Sequence, residues 1–219
     1  MSEIEIHIHG DSSLDNRPYI NEWEKSTVDH FKHLVKSDSE LWPVLENGTD
    51  IFDFSKDGDV CNDITFIDAI DRSADADIKG NPYPDVTISI VNVGGNDMLE
   101  LANALLWPSK DVNDSLVKLS AVYDEFRMSY RRMLRRYQQA IDVAGEFRLL
   151  CGTIYYAEPA VDSLKMAVDI ANGVIREEVA RLPDRVDACI VDLNAAMDTP
   201  DKYSHVTLPA QMHVLNPAT

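Results

Sequence analysis

Two short stretches limit what this chain can fold into more than anything else in it. Ile88-Ser-Ile-Val-Asn-Val and Ala188-Cys-Ile-Val-Asp-Leu are nearly continuous apolar runs, rich in β-branched side chains. A strand with one wet face alternates apolar with polar residues. A strand covered on both faces does not need to, and such strands belong to parallel sheets flanked by helices. The rest of the chain agrees. Strands are expected at Glu3 to His9, about Asp50 to Phe54, Asp85 to Val93, Glu146 to Tyr155 and Arg185 to Leu193, with helical patterns between them.

The longest helical pattern carries Val112, Leu116, Leu119, Val122, Tyr123, Phe126, Tyr130, Met133, Leu134, Tyr137 and Ile141 at three- and four-residue steps, a stripe that faces a core. Arg131, Arg132, Arg135 and Arg136 fall off that stripe and are expected to form a solvated face, paired cheaply with local acids. Further helices are expected over Ala160 to Leu182, Asn21 to Lys36 and Asn62 to Ala74.

The 219 residues, 45% of them hydrophobic, supply one sizeable core, so residues 1–219 are expected to form a single domain. A formal charge of −18 argues against a nucleic-acid binder and against docking on anionic membranes. No run approaches the ~20 apolar residues that span a bilayer. The first residues alternate like a strand and carry no basic region followed by an apolar one, so the expected location is cytoplasmic. Cys61, Cys151 and Cys189 are too scattered for a disulfide framework or a zinc site and are expected to be reduced core fillers.

Three loops carry the chemistry, each after a different expected strand. Gly10-Asp11-Ser12-Ser13-Leu14-Asp15-Asn16 follows the first and would lift the Ser12 hydroxyl to the carboxyl edge of the sheet, where open α/β sheets place their active sites. Phe54-Ser-Lys-Asp-Gly58-Asp-Val-Cys-Asn62-Asp follows the second, where a glycine can present its backbone N–H. Gly94-Gly95-Asn96-Asp97 follows the third, and its Asn carboxamide is a neutral donor suited to an oxyanion.

In that order the blocks resemble those of the SGNH hydrolases, the GDSL esterase/lipase family, over most of the chain. Gly10-Asp11-Ser12 with Leu14 and Asn16 resembles the nucleophile block, Gly58 with Asn62 the glycine block, and Gly94-Gly95-Asn96-Asp97 the block that supplies the oxyanion-hole asparagine. The resemblance implies a flavodoxin-like three-layer α/β/α sandwich on a five-stranded, mainly parallel sheet. It also implies a serine esterase acting on a small acyl ester without a cofactor or metal. Ser12 would be the nucleophile, and the N–H groups of Ser12 and Gly58 with the Asn96 side chain would form the oxyanion hole.

The fourth block departs from the family's pattern. Where Asp-x-x-His would stand, the chain has Asp198-Thr-Pro-Asp201-Lys-Tyr-Ser-His205, with the acid four positions before the base instead of three; Lys202 stands three before His205, and Ala210 three before His213. His205 is taken as general base, Asp201 as the acid that orients it and Asp198 as its reserve. The alternative is a catalytically reduced module that binds a small ligand. His7 and His9 share one face of the first strand and are expected to serve packing, Asp11 to brace its turn, and Asp57, Asp59 and Asp63 to fall short of a metal site.

Overall fold

The computed structural model describes residues 4–11, 14, 25–37, 49–64, 86–99, 108–141, 146–155 and 162–196. Five strands, β1 (Ile4–Gly10), β2 (Thr49–Asp53), β3 (Val86–Asn92), β4 (Glu146–Gly152) and β5 (Asp187–Val191), form one sheet in the order β2-β1-β3-β4-β5. Every neighbouring pair is parallel. The described helices are α1 (Thr27–Ser37), α2 (Val112–Ile141), α3 (Asp162–Ala180) and the single turn α4 (Leu193–Ala196). The architecture is the α/β fold expected from the alternation.

Side-chain alternation along the strands sorts two cores. Ile6 and Ile8 of β1, with Ile51, Ile88 and Ile90 beside them, meet Val28 and Phe31 of α1 on one face. Val91, Phe147, Leu149 and Cys151 meet Phe126, Tyr130, Met133 and Tyr137 of α2 and Ala171, Val174 and Ile175 of α3 on the other. Both faces of the inner strands are therefore covered, which is why β3 needs no polar alternation.

Several boundaries differ from the expectation for local reasons. Helix α1 begins at Thr27 and not at Asn21, because Ser26 caps it: Asp29 N donates to Ser26 Oγ (3.1 Å) and Ser26 N to Asp29 Oδ2 (3.3 Å), a reciprocal capping box. At α2, Asp114 N donates to the cap Asp111 Oδ1 (2.9 Å), and the Asp114 carboxylate accepts from Lys110 N, one residue before the cap (3.0 Å). No helix starts at Asn62. Asp63 N donates to the Val60 carbonyl and Val60 N to the Asp63 carboxylate, closing a turn, and residues 65–85 lie outside the described set. Past Gly152 the β4 pairing ends with Thr153 N donating to Val191 O (3.0 Å), and Asn172 of α3 then takes both backbone groups of Ile154, accepting from its N (2.8 Å) and donating to its O (2.7 Å).

Two expectations about burial are corrected. The stripe of α2 is buried from Val122 to Tyr137, whereas Val112 and Leu116 are exposed. Thirty residues of helix run ~45 Å, whereas a seven-residue strand covers ~23 Å, so the first turns of α2 overhang the sheet. Cys189 is exposed because it lies on the outer strand β5, whereas Cys61 and Cys151 are buried fillers as expected. Among the described residues, no helix is long and apolar enough to cross a membrane.

Candidate active site

The strand order creates the site. From β1 the chain passes to β2 on one side, and then to β3 on the other, so the strand order reverses between β1 and β3, the point at whose carboxyl ends open α/β sheets place their sites. Gly10 ends β1 in register with Asn92, the end of β3. Asp11 N donates to Asn92 O (3.3 Å) and Leu14 N to Asp11 O (3.0 Å), a tight turn at the end of β1 with Asp11 buried, as expected of a bracing residue. This turn carries Ser12, which with Ser13 and Asn16 lies outside the described residues, as do Asp198, Asp201, His205 and His213.

The loop after β2 first continues the sheet: Phe54 N donates to Ile8 O (2.8 Å) and Lys56 N to Gly10 O (2.9 Å). It then turns, with Asp59 N donating to Lys56 O (3.2 Å) and Gly58 in the left-handed region at φ 87°. Glycine is required at that third turn position because a Cβ there opposes the adjacent carbonyl.

After β3 the chain turns through Gly94 at φ 120° into a helical segment over 95–99, with Met98 N donating to Gly94 O (3.0 Å). Its first turn places two adjacent side chains on the β2 loop. Asn96 Nδ2 donates to the Asp59 carbonyl (3.1 Å), and the buried Asp97 Oδ2 accepts from Cys61 N (2.9 Å). Gly58 and Asn96, expected to meet from the sequence, are therefore brought together one residue apart.

Other residues of the site carry no motif. Arg132 Nη1 donates to Asn62 Oδ1 (3.1 Å), and Arg136 Nη1 to the carbonyls of Asn62 (2.9 Å) and Ile64 (3.0 Å). These side chains, expected to be solvated, hold the far end of the loop; their four-residue spacing on one helix face was the available signal. Arg131 is not locally paired either. It grips the buried Glu178 of α3 through both carboxylate oxygens (2.6 and 2.7 Å).

The electrostatics around the loop are acidic. Burial, the adjoining Asp97 carboxylate and Asp11 push the Cys61 thiol well above its ordinary value, so it stays protonated. His7 and His9 belong to packing as expected: His9 stacks on Phe54 (centroids 5.1 Å apart) and meets Tyr137 edge-on, and His7 Nε2 lies 2.8 Å from Glu5 Oε2. Among the described residues no group of three or more His, Cys, Asp or Glu side chains is placed to hold a metal ion.

No protein-family model matches the chain, and no curated protein matches it. Solved structures do. A lipase from a goat rumen metagenome superposes with a TM-score of 0.63 at 14% identity, over 96% of this chain and 90% of the lipase. A variant of an acetyl-xylooligosaccharide esterase from Geobacillus gives 0.58 at 17% identity, over 98% and 87%. A member of the lipolytic G-D-S-L family from Veillonella parvula gives 0.55 at 15% identity, over 98% and 91%. The chain has the fold of the GDSL, or SGNH, lipases and esterases.

Proposed function

We propose that this chain is a serine hydrolase of the SGNH type that cleaves a small acyl ester, a short-chain ester or an O-acetyl group, through an acyl-enzyme on Ser12. The observation that carries the reading is the bond from Asn96 Nδ2 to the carbonyl of Asp59, the residue after Gly58. It aligns the carboxamide with the backbone of the glycine turn beside the β1 edge. The Asn96 amide has two hydrogens, and the second is assigned to the oxyanion.

In this mechanism Ser12 Oγ attacks the ester carbonyl as His205, oriented by Asp201, takes the hydroxyl proton. The tetrahedral oxyanion receives hydrogen bonds from the N–H groups of Ser12 and Gly58 and from Asn96 Nδ2, donors fixed before the charge develops. Collapse expels the alcohol, protonated by His205. Water, deprotonated by the same histidine, then releases the acid. No cofactor is assigned a role, and the site is assigned to residues 1–219 as one domain. The reading places the reaction in the cytoplasm, with the ester as its only assigned partner.

The test is labelling with a fluorophosphonate, location of the adduct by mass spectrometry, and turnover of p-nitrophenyl acetate by wild type, Ser12→Ala and His205→Ala. An adduct on Ser12 and loss of turnover in both variants are expected. No adduct, with turnover unchanged in Ser12→Ala, sinks the proposal in favour of a ligand-binding module.

A further inference from the structure

Asn96 and Asp97 are adjacent, yet they fasten to different residues of the β2 loop, and the second tie is the more buried. Asp97 is 7% exposed and Cys61 is wholly buried; Cys61 N donates to Asp97 Oδ2 at 2.9 Å. An N–H to carboxylate bond out of water is charge-assisted and stronger than the neutral amide-to-carbonyl bond that Asn96 makes. Between the two anchored residues stands only Val60, and immediately before them stands Gly58, whose Cβ position is open space with nothing within 4 Å. Gly58 therefore has no side-chain packing to hold its N–H in direction. That direction must be set by the turn closed from Asp59 N to Lys56 O and by whatever fixes the chain after it.

We propose that Asp97 is a positioning residue: through Cys61 N it holds the 58–61 backbone against the helical turn that bears Asn96, and so fixes the Gly58 N–H and the Asn96 carboxamide in mutual register. This rests on the hydrolase reading for its catalytic consequence, but the tether itself does not. The acidity of the surroundings fits a passive role for the carboxylate. Asp11 lies on the same side, with its Oδ2 at 3.5 Å from where a Gly95 Cβ would stand, and a carboxylate here would repel a developing oxyanion if it approached one. Asp97 is instead capped by the Cys61 N–H and turned away from solvent.

The experiment measures amide hydrogen exchange and p-nitrophenyl acetate kinetics on the full chain as wild type, Asp97→Ala and Asp97→Asn. Rates are counted per active site titrated with fluorophosphonate. In Asp97→Ala the Cys61 amide is expected to exchange at least about tenfold faster. The same variant is expected to lower kcat at least about tenfold with KM within about twofold, the signature of a contact that matters only in the transition state. Asp97→Asn keeps an oxygen to accept the Cys61 N–H and is expected to fall between the two. It also serves if Asp97→Ala does not fold by circular dichroism.

Unchanged exchange at Cys61 in every folded variant overturns the tether. Faster exchange with unchanged kcat overturns the positioning role while leaving the hydrolase reading intact. Absence of Ser12-dependent turnover in the wild type overturns the hydrolase reading and the positioning role together, and the exchange data then judge the tether alone.

Discussion

Asn96 reaches over to Asp59: the carboxamide nitrogen of a residue just past β3 lies 3.1 Å from a main-chain oxygen just past β2, although β1 separates those strands in the sheet. Asn96→Ala removes both this bond and the proposed oxyanion donor. Loss of one such donor costs about 10²–10³-fold in rate, so kcat for p-nitrophenyl acetate is expected to fall in that range with little change in KM. Steady-state kinetics with thermal melts as a folding control check it.

The two left-handed glycines should respond differently to a methyl group. At Gly58 an added Cβ meets nothing within 4 Å, so Gly58→Ala incurs only the backbone penalty of about 1–2 kcal/mol. At Gly94 the Cβ would stand 3.1 Å from the Phe126 ring and 3.3 Å from Ile154 Cδ1. Gly94→Ala is therefore expected to lower the denaturation midpoint clearly more than Gly58→Ala. Equal midpoints in urea would contradict the packing argument.

Charge in the stretch of chain that carries the glycine loop should select substrates. From Ser37 to Asp77 there are twelve acidic residues against Lys56 and Arg72, a net −10 that contributes more than half of the chain's −18. Gly58 stands between two of them, Asp57 and Asp59. Anionic esters are expected to show lower kcat/KM than neutral esters of equal length, and the gap should narrow as salt rises and screens the field. A gap independent of ionic strength would place its origin elsewhere.

Local order was legible in the sequence, and long-range ties were not. Val86–Asn92 reads as a buried strand because its β-branched run is a property of adjacent residues, and Gly94-Gly95-Asn96 is legible for the same reason. The partners of Asn96 and Arg131 lie 37 and 47 residues away, and nothing in the spacing of either residue names them. The four arginines of α2 illustrate the loss. Periodicity placed them off the core stripe, which is correct, but only the fold shows that one flank faces α3 and the other the β2 loop. The proposed acid and base, Asp201 and His205, belong to an irregular sequence block that lies outside the described residues.

The Glu178 carboxylate is a separate device. It sits 2% exposed between Arg131 and Arg181, with Arg127 3.9 Å away. Hydrogen bonds from Arg131 hold its pKa below the usual 4.5. Glu178→Gln is expected to destabilise the fold by about 1.5–3 kcal/mol, the range for a hydrogen bond to a charged group. The freed arginines are one-third to one-half exposed and rehydrate, which keeps the cost below that of stranding a buried charge. Because the folded pKa is depressed, this stability is complete above pH 4.5 and is lost as pH falls through the lower folded value. The difference in urea midpoint between wild type and Glu178→Gln at pH 7 should hold down to pH 4.5 and shrink progressively as pH is lowered further.

His9 acts over a different pH window. Burial first, and the neighbouring His7 ring second, lower its pKa from 6.5 to about 3, so the folded state holds the ring neutral against Phe54 and Tyr137. The unfolded chain binds the proton near pH 6.5 and the folded chain does not until near pH 3, so stability falls steadily as pH drops between those values. The Glu178 contribution is constant above 4.5 and changes with pH only below it, so the interval from 6.5 to 5 separates the histidine from it. Replacing the ring by one that cannot titrate, His9→Phe, is expected to flatten the stability profile over that interval, whatever it does to stability at pH 7. Urea denaturation midpoints at half-unit steps measure the slope, and a variant that keeps the wild-type slope would show that another group takes up the proton.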